Sequence, residues 1–118
     1  MYSAELLDHF EHPRNPGELP EADLHTQVQN PACGDVLELA AKLEGGLIRE
    51  IRFRAKGCVP AMACASAITE LVMGKSIEQA ATISREDIVR AVGSLPPTSG
   101  HAAQLALDGL AALLKGVA

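Results

Sequence analysis

The stretch Asp35-Val36-Leu37-Glu38-Leu39-Ala40-Ala41-Lys42-Leu43-Glu44-Gly45-Gly46-Leu47-Ile48-Arg49-Glu50-Ile51-Arg52-Phe53-Arg54-Ala55-Lys56 decides the fold. In its first half Leu37, Leu39, Ala41 and Leu43 alternate with Glu38 and Lys42. A period of two puts an apolar face and a charged face on one extended chain. Gly45-Gly46 then supplies a hairpin turn. The return half sets Ile51, Phe53 and Ala55 on one face and Glu50, Arg52, Arg54 and Lys56 on the other. The basic stretch from Arg49 to Lys56 is therefore one face of a strand.

Working toward the N-terminus, Pro31-Ala32-Cys33-Gly34-Asp35 reads as a tight turn, and residues 24–29 as an edge strand. Residues 13–20 hold three prolines and a glycine and form a loop. Ser3 can cap a short helix that runs through His12 and ends at Pro13. On the other side, Gly57-Cys58 ends the return strand, and Pro60 suits the first turn of a helix reaching Met73. That helix carries an apolar stripe at Ala61, Ala65, Ile68, Leu71 and Val72, and Gly74 stops it. Ser76 and Ser84 can each cap a further short helix. Leu95-Pro96-Pro97 forces an extended break. His101 then opens a final helix with Leu107, Leu110, Ala111 and Leu114 on one side. No repeat, low-complexity tract or linker interrupts residues 1–118. The order is helix, strands, then helices, an α+β arrangement with an antiparallel sheet in a single domain.

Size and charge narrow the possibilities. A chain of 118 residues, 47% hydrophobic, can bury one core. Aromatics are 3% and Trp is absent, so that core must be Leu, Ile, Val and Ala. A net charge of −5 offers no basic field for nucleic acid. The opening Met1-Tyr2-Ser3-Ala4-Glu5 does not read as a signal peptide, and no apolar run is long enough for a membrane span. Three cysteines cannot all pair internally. The expectation is a soluble cytoplasmic protein with reduced thiols, which in that compartment bind metal, catalyse or are simply buried.

Three segments at breaks between elements carry chemistry: Cys33-Gly34-Asp35, Gly57-Cys58 and Gly100-His101. The turn at Gly45-Gly46 bisects the hairpin, so Asp35 and Lys56 should lie near each other, and Cys33, Asp35 and Cys58 should converge at one end of the sheet. The hairpin does not place His101. Two thiols, an imidazole and a carboxylate make a four-ligand set, and thiolates favour zinc, copper(I) and iron–sulfur clusters. Helix starts after Cys58 and at His101 would add partial positive charge that stabilises thiolates. Taken singly, each residue has a plainer reading. Cys33 and Cys58 are too far apart for a zinc-finger pair and each could be a small buried hydrophobe. Asp35 could be a turn residue, and His101 a solvated helix start. Cys64 lies on the apolar stripe and reads as core. His9, His12 and His25 show no partners and read as surface residues.

At Pro31-Ala32-Cys33-Gly34-Asp35 the chain resembles the iron–sulfur cluster assembly scaffolds, the IscU family and the N-terminal domain of NifU. The resemblance extends over nearly the whole length. Tyr2-Ser3, Asp8-His9-Phe10 and His12-Pro13-Arg14-Asn15-Pro16-Gly17 resemble that family's opening signature. Phe53-Arg54-Ala55-Lys56-Gly57-Cys58, with Ala61-Met62-Ala63 and Ala65-Ser66, resembles its second cysteine region. Thr69-Glu70, Gly74-Lys75-Ser76 and Leu95-Pro96-Pro97 followed by His101 fit as well.

The resemblance implies an α+β sandwich of the SufE/NifU type, a small three-stranded antiparallel sheet packed against several helices. It implies a non-enzymatic scaffold or carrier that binds iron, zinc or a labile [2Fe–2S] cluster and passes it to apo-proteins. The positions that match its ligands are Cys33, Asp35, Cys58 and His101. It implies a cysteine desulfurase as sulfur source and apo iron–sulfur proteins as acceptors. Two departures stand out. The family has a cysteine directly after the histidine, a metal ligand and sulfur acceptor, where this chain has Ala102. Thr98-Ser99 follows Leu95-Pro96-Pro97 where the family's chaperone-recognition motif continues Val-Lys, which weighs against a heat-shock chaperone as partner. The zinc-dependent SufU branch carries a long insertion before the histidine, and this chain does not. The alternatives are a zinc-dependent sulfur relay, with Cys33 or Cys58 receiving persulfide sulfur, and a degenerate module that only docks the desulfurase.

Overall fold

The structure of the protein is a computed structural model describing residues 1–117. Helix α1 (Ala4–Glu11) is followed by strands β1 (Leu24–Gln29), β2 (Val36–Glu44) and β3 (Leu47–Lys56). Then come α2 (Val59–Val72), α3 (Ile77–Ala80), α4 (Arg85–Ala91), one 3-10 turn (Pro97–Ser99) and α5 (Gly100–Leu114). The strands form one antiparallel sheet in the order β1-β2-β3. The α+β architecture and the antiparallel hairpin expected from the sequence are both present.

Local chemistry explains most boundaries. Ser3 Oγ accepts the Leu6 N–H at 3.0 Å, and Pro13 follows the end of α1. Ser76 and Ser84 each close a capping box, with Gln79 and Asp87 as reciprocal partners. Gly45 and Gly46 sit at φ +59° and +79°, the double left-handed turn that matches the twist of a two-residue hairpin. The β2–β3 register shifts between Lys42 and Leu43. This bulge puts both Ile48 and Ile51 into the core and lifts Leu43 partly out of it.

The helices cover one face of the sheet. α2 packs on β3, α1 and α5, while α5 packs on β1 and β2. The core is Leu, Ile, Val and Ala, with Phe53 its one buried aromatic. Two expectations about helix faces are corrected. α2 buries Ala61, Ala65, Ile68 and Val72 of the expected stripe but also Ala63, Cys64 and Ala67 beyond it, because three neighbours surround the helix, and Leu71 is only half-buried. α5 buries Ala102, Ala103, Leu105, Ala106, Gly109, Leu110 and Leu113. Leu107 and Leu114 are only half-buried and Ala111 is exposed. Of the expected face only Leu110 is fully inside; small residues at Ala102, Ala103, Ala106 and Gly109 let α5 lie close on the sheet, with Leu105 and Leu113 turned inward beside them.

Both edges of the sheet matter below. β3 is covered: the Phe53 N–H donates to Asn15 O, Gly17 N–H to Phe53 O, and Ile48 N–H to Lys75 O. β1 forms the opposite edge.

Candidate metal centre

β2 begins at Val36, which pairs with Lys56, so Asp35 lies just outside the ladder opposite Gly57. Asn30 shapes the turn before it. The Gly34 N–H donates to Asn30 O at 2.7 Å, Asn30 N–H to Asp35 O at 2.8 Å, and Ala32 N–H to Asn30 Oδ1 at 2.9 Å. This holds Asp35 5% exposed while Cys33, at the tip of the turn, is open to solvent. Gly57 is required by close approach: a Cβ there would fall on Asp35 Oδ1 and within 2.5 Å of its Cγ.

Cys58 is the N-cap residue of α2, with its side chain free of any capping bond. Its thiol instead donates to Asp35 Oδ2 at 3.3 Å and lies 3.8 Å from His101 Nε2. Burial raises the Cys58 thiol above its usual range, and the Asp35 carboxylate adds to this, against a backbone hydrogen bond from Ala61. His101, the second residue of α5, brings Nε2 to 3.8 Å from Asp35 Oδ2. Donor atoms of Cys33, Asp35 and His101 all lie within 4.8 Å of one another. Cys58 is not part of that mutually close trio, yet its contacts with Asp35 and His101 put it on the same rim. The hairpin, the start of α2 and the start of α5 therefore meet at one end of the sheet.

The donor set is two soft sulfurs, one borderline imidazole nitrogen and one hard carboxylate. It fits a four-coordinate soft or borderline ion, or an iron–sulfur unit that sulfur ligands alone would hold more tightly. Cys64 is not a donor here. It is fully buried, and burial, with the nearby Cys58, pushes its thiol up to about 12. Ala102 is 1% exposed and belongs to the core.

A family model described as the NifU-like N terminal domain matches residues 1–117. The chain belongs to that family. An iron–sulfur cluster assembly scaffold protein named IscU 1 from Archaeoglobus fulgidus is 41% identical over 110 residues, 93% of this chain and 72% of the relative. The IscU scaffold protein of Haemophilus influenzae is 40% identical over 117 residues, 96% and 92% of the two chains. Among solved structures, a NifU-like N-terminal protein from Brucella abortus superposes with a TM-score of 0.78 at 17% identity. It matches 98% of this chain and 92% of its own. A scaffold candidate for the SUF system from Fervidobacterium islandicum AW-1 gives 0.80 at 20% identity, covering 96% of each chain. At those identities the two structures bear on the fold alone.

Two histidines of this NifU-like domain differ from the sequence expectation. His9 is buried at 4% exposure, not on the surface. Its Nδ1 lies 2.8 Å from Ser66 Oγ, which also accepts the Arg14 N–H at 2.8 Å. Thr69 Oγ1 donates to Ser66 O and Arg14 O, and Asn15 Nδ2 donates to Thr69 Oγ1. The opening signature is thus a latch that fastens loop 13–17 onto α2. Its signal was available: His9 follows Leu6 by three positions, on the same helix face as that buried leucine. His25 is exposed but not without a partner, since its Nε2 is 3.3 Å from Glu38 Oε2. His12 is exposed, as expected. No helix among the described residues is long and apolar enough to cross a membrane.

Proposed function

We propose that this chain is a scaffold or carrier that holds iron, zinc or a labile [2Fe–2S] cluster through Cys33, Asp35, Cys58 and His101, and hands it to apo-proteins. The single observation that carries this is the convergence of those four side chains at one exposed end of the sheet. Relatives at about two-fifths identity bear the name of iron–sulfur cluster assembly scaffold, and scaffold proteins are in general not enzymes. The metal or cluster is cargo. A carboxylate among thiolates leaves one weak arm in the coordination, which suits a load that must leave again. Cysteine desulfurase is the implied sulfur source, and apo iron–sulfur proteins are the recipients.

Ala102 favours a second reading. Without the adjacent thiol the centre has two sulfurs, enough for zinc and a persulfide-accepting Cys33, which is the most exposed thiol of the three. Anaerobic reconstitution with iron, sulfide and reductant separates the two. Visible cluster absorbance that transfers to an apo-ferredoxin supports the scaffold. Bound zinc, no cluster, and a persulfide on Cys33 after incubation with desulfurase and cysteine support the relay. Neither cluster nor metal retained would overturn both.

A further inference from the structure

The sheet has two edges, and the described residues pair along only one of them. Loop 15–17 and residues 74–76 pair with β3. β1 pairs with β2 through Leu24, Thr26 and Val28, since the Asn30 N–H to Asp35 O bond sets that alternation. The N–H and C=O groups of His25, Gln27 and Gln29 therefore point off the open edge, and none has a backbone partner among the described residues. β1 carries none of the devices that blunt an edge. It has no Pro, no Lys and an unshifted register over all six residues.

Beside that edge runs a groove of about 230 Å³ between the end of β1 and one face of α5. Val28 and Leu105 supply apolar wall. Gln29, Gln104 and Asp108 supply polar groups, and His101 closes the groove at the metal centre. His101, Gln104, Leu105 and Asp108 share one helix face. Asp108 accepts from Gln104 Nε2 at 2.9 Å and meets no cation there.

We propose that the free edge of β1 takes an extended segment of a protein partner as a fourth strand, with a basic side chain on Asp108 and the chain leading to His101 and Cys33. Strand addition satisfies the three unpaired residues through main-chain bonds to a strand lying about 4.8 Å away, and alternate side chains drop into the groove. Asp108, the one carboxylate lining the groove, selects a cation. A strand so placed ends beside the exposed Cys33, where a partner's cysteine could give or receive the cargo. Only that last clause rests on the scaffold reading; strand addition does not.

The probe is the blocked peptide Ac-Thr-Val-Lys-Val-Thr-NH2, titrated into the intact protein and read by amide hydrogen exchange and NMR shifts. Slowed exchange at Gln27 and Gln29, weakened about ten-fold when the peptide's Lys becomes Glu or in Asp108→Lys, is the expected result. Gln27→Pro removes an outward N–H without touching the ladder, so it should abolish binding while circular dichroism and cobalt uptake stay unchanged. No protection at millimolar peptide, or equal protection by the Glu peptide, would overturn the proposal. So would protection that appears with protein concentration alone, because the edge would then take a second copy. Cobalt uptake is read in the same samples, so failure of the metal centre and failure of the edge are seen separately.

Discussion

Replacing Gly57 by alanine should destabilise the protein by displacing the Asp35 side chain. The new methyl would fall on Asp35 Oδ1, 2.5 Å from Cγ and 2.9 Å from Cβ, where ordinary contact begins at 3.4 Å. The carboxylate must retreat by about 1 Å, in a position too packed to yield freely. That retreat takes Oδ2 out of hydrogen-bond range of the Cys58 thiol, now 3.3 Å away. Overpacking of this kind costs about 1–3 kcal/mol, which for a domain of this size lowers Tm by about 3–6 °C per kcal/mol. The assay is thermal and urea unfolding of the parent, Gly57→Ala, Asp35→Ala and the double variant. Removing Oδ1 and Cγ in Asp35→Ala relieves most of the clash, so the cycle should show a coupling of about 1 kcal/mol. An identical cost of Gly57→Ala in both backgrounds would refute the reasoning and assign the effect to backbone strain at φ +156°.

Three further outcomes follow from the same structure. In native protein near pH 8, iodoacetamide should label Cys33 rapidly and leave Cys64 untouched until unfolding, because burial holds that thiol at about 12; equal labelling by mass spectrometry would contradict its core position. Burial holds the His9 imidazole below its usual range, with Arg14 adding to the effect. The unfolded chain then takes up a proton first, so stability is full above about pH 6.5 and is lost as pH falls through it. His9→Gln should flatten that loss in urea midpoints compared at neutral and mildly acid pH, and an unchanged slope would assign the acid sensitivity elsewhere. Asp35→Ala should keep metal bound but slow its release to an apo-acceptor; unchanged or faster transfer in a mixing assay would sink the weak-arm account of the carboxylate.

The hairpin was legible because its pattern of period two and its Gly45-Gly46 turn act locally. Ser76 and Ser84 announced their helices for the same reason, as caps answered three residues later. The convergence of Asp35 with Cys58 was legible because antiparallel pairing ties a strand's start to its partner's end. His101 was different. Its approach to Asp35 depends on how α5 crosses the sheet, a long-range packing choice that spacing does not encode. The same choice sets the face of α5: hydrophobicity points to Leu107, Leu110, Ala111 and Leu114, of which only Leu110 is buried, while close contact with the sheet favours Ala102, Ala103 and Ala106. The face of His9 is legible from Leu6 three positions before it, but its burial is not, because the Ser66 partner that makes it tolerable lies 57 positions away.

The most direct test of the four-donor centre is an anaerobic cobalt(II) titration of the parent protein beside Cys33→Ser, Cys58→Ser, His101→Ala and Cys64→Ser, followed by thiolate-to-metal absorbance. The account predicts a single site with sulfur charge-transfer intensity, weakened or lost in the first three variants and unchanged in Cys64→Ser. Full intensity in Cys33→Ser and Cys58→Ser, or its loss in a folded Cys64→Ser, would contradict it.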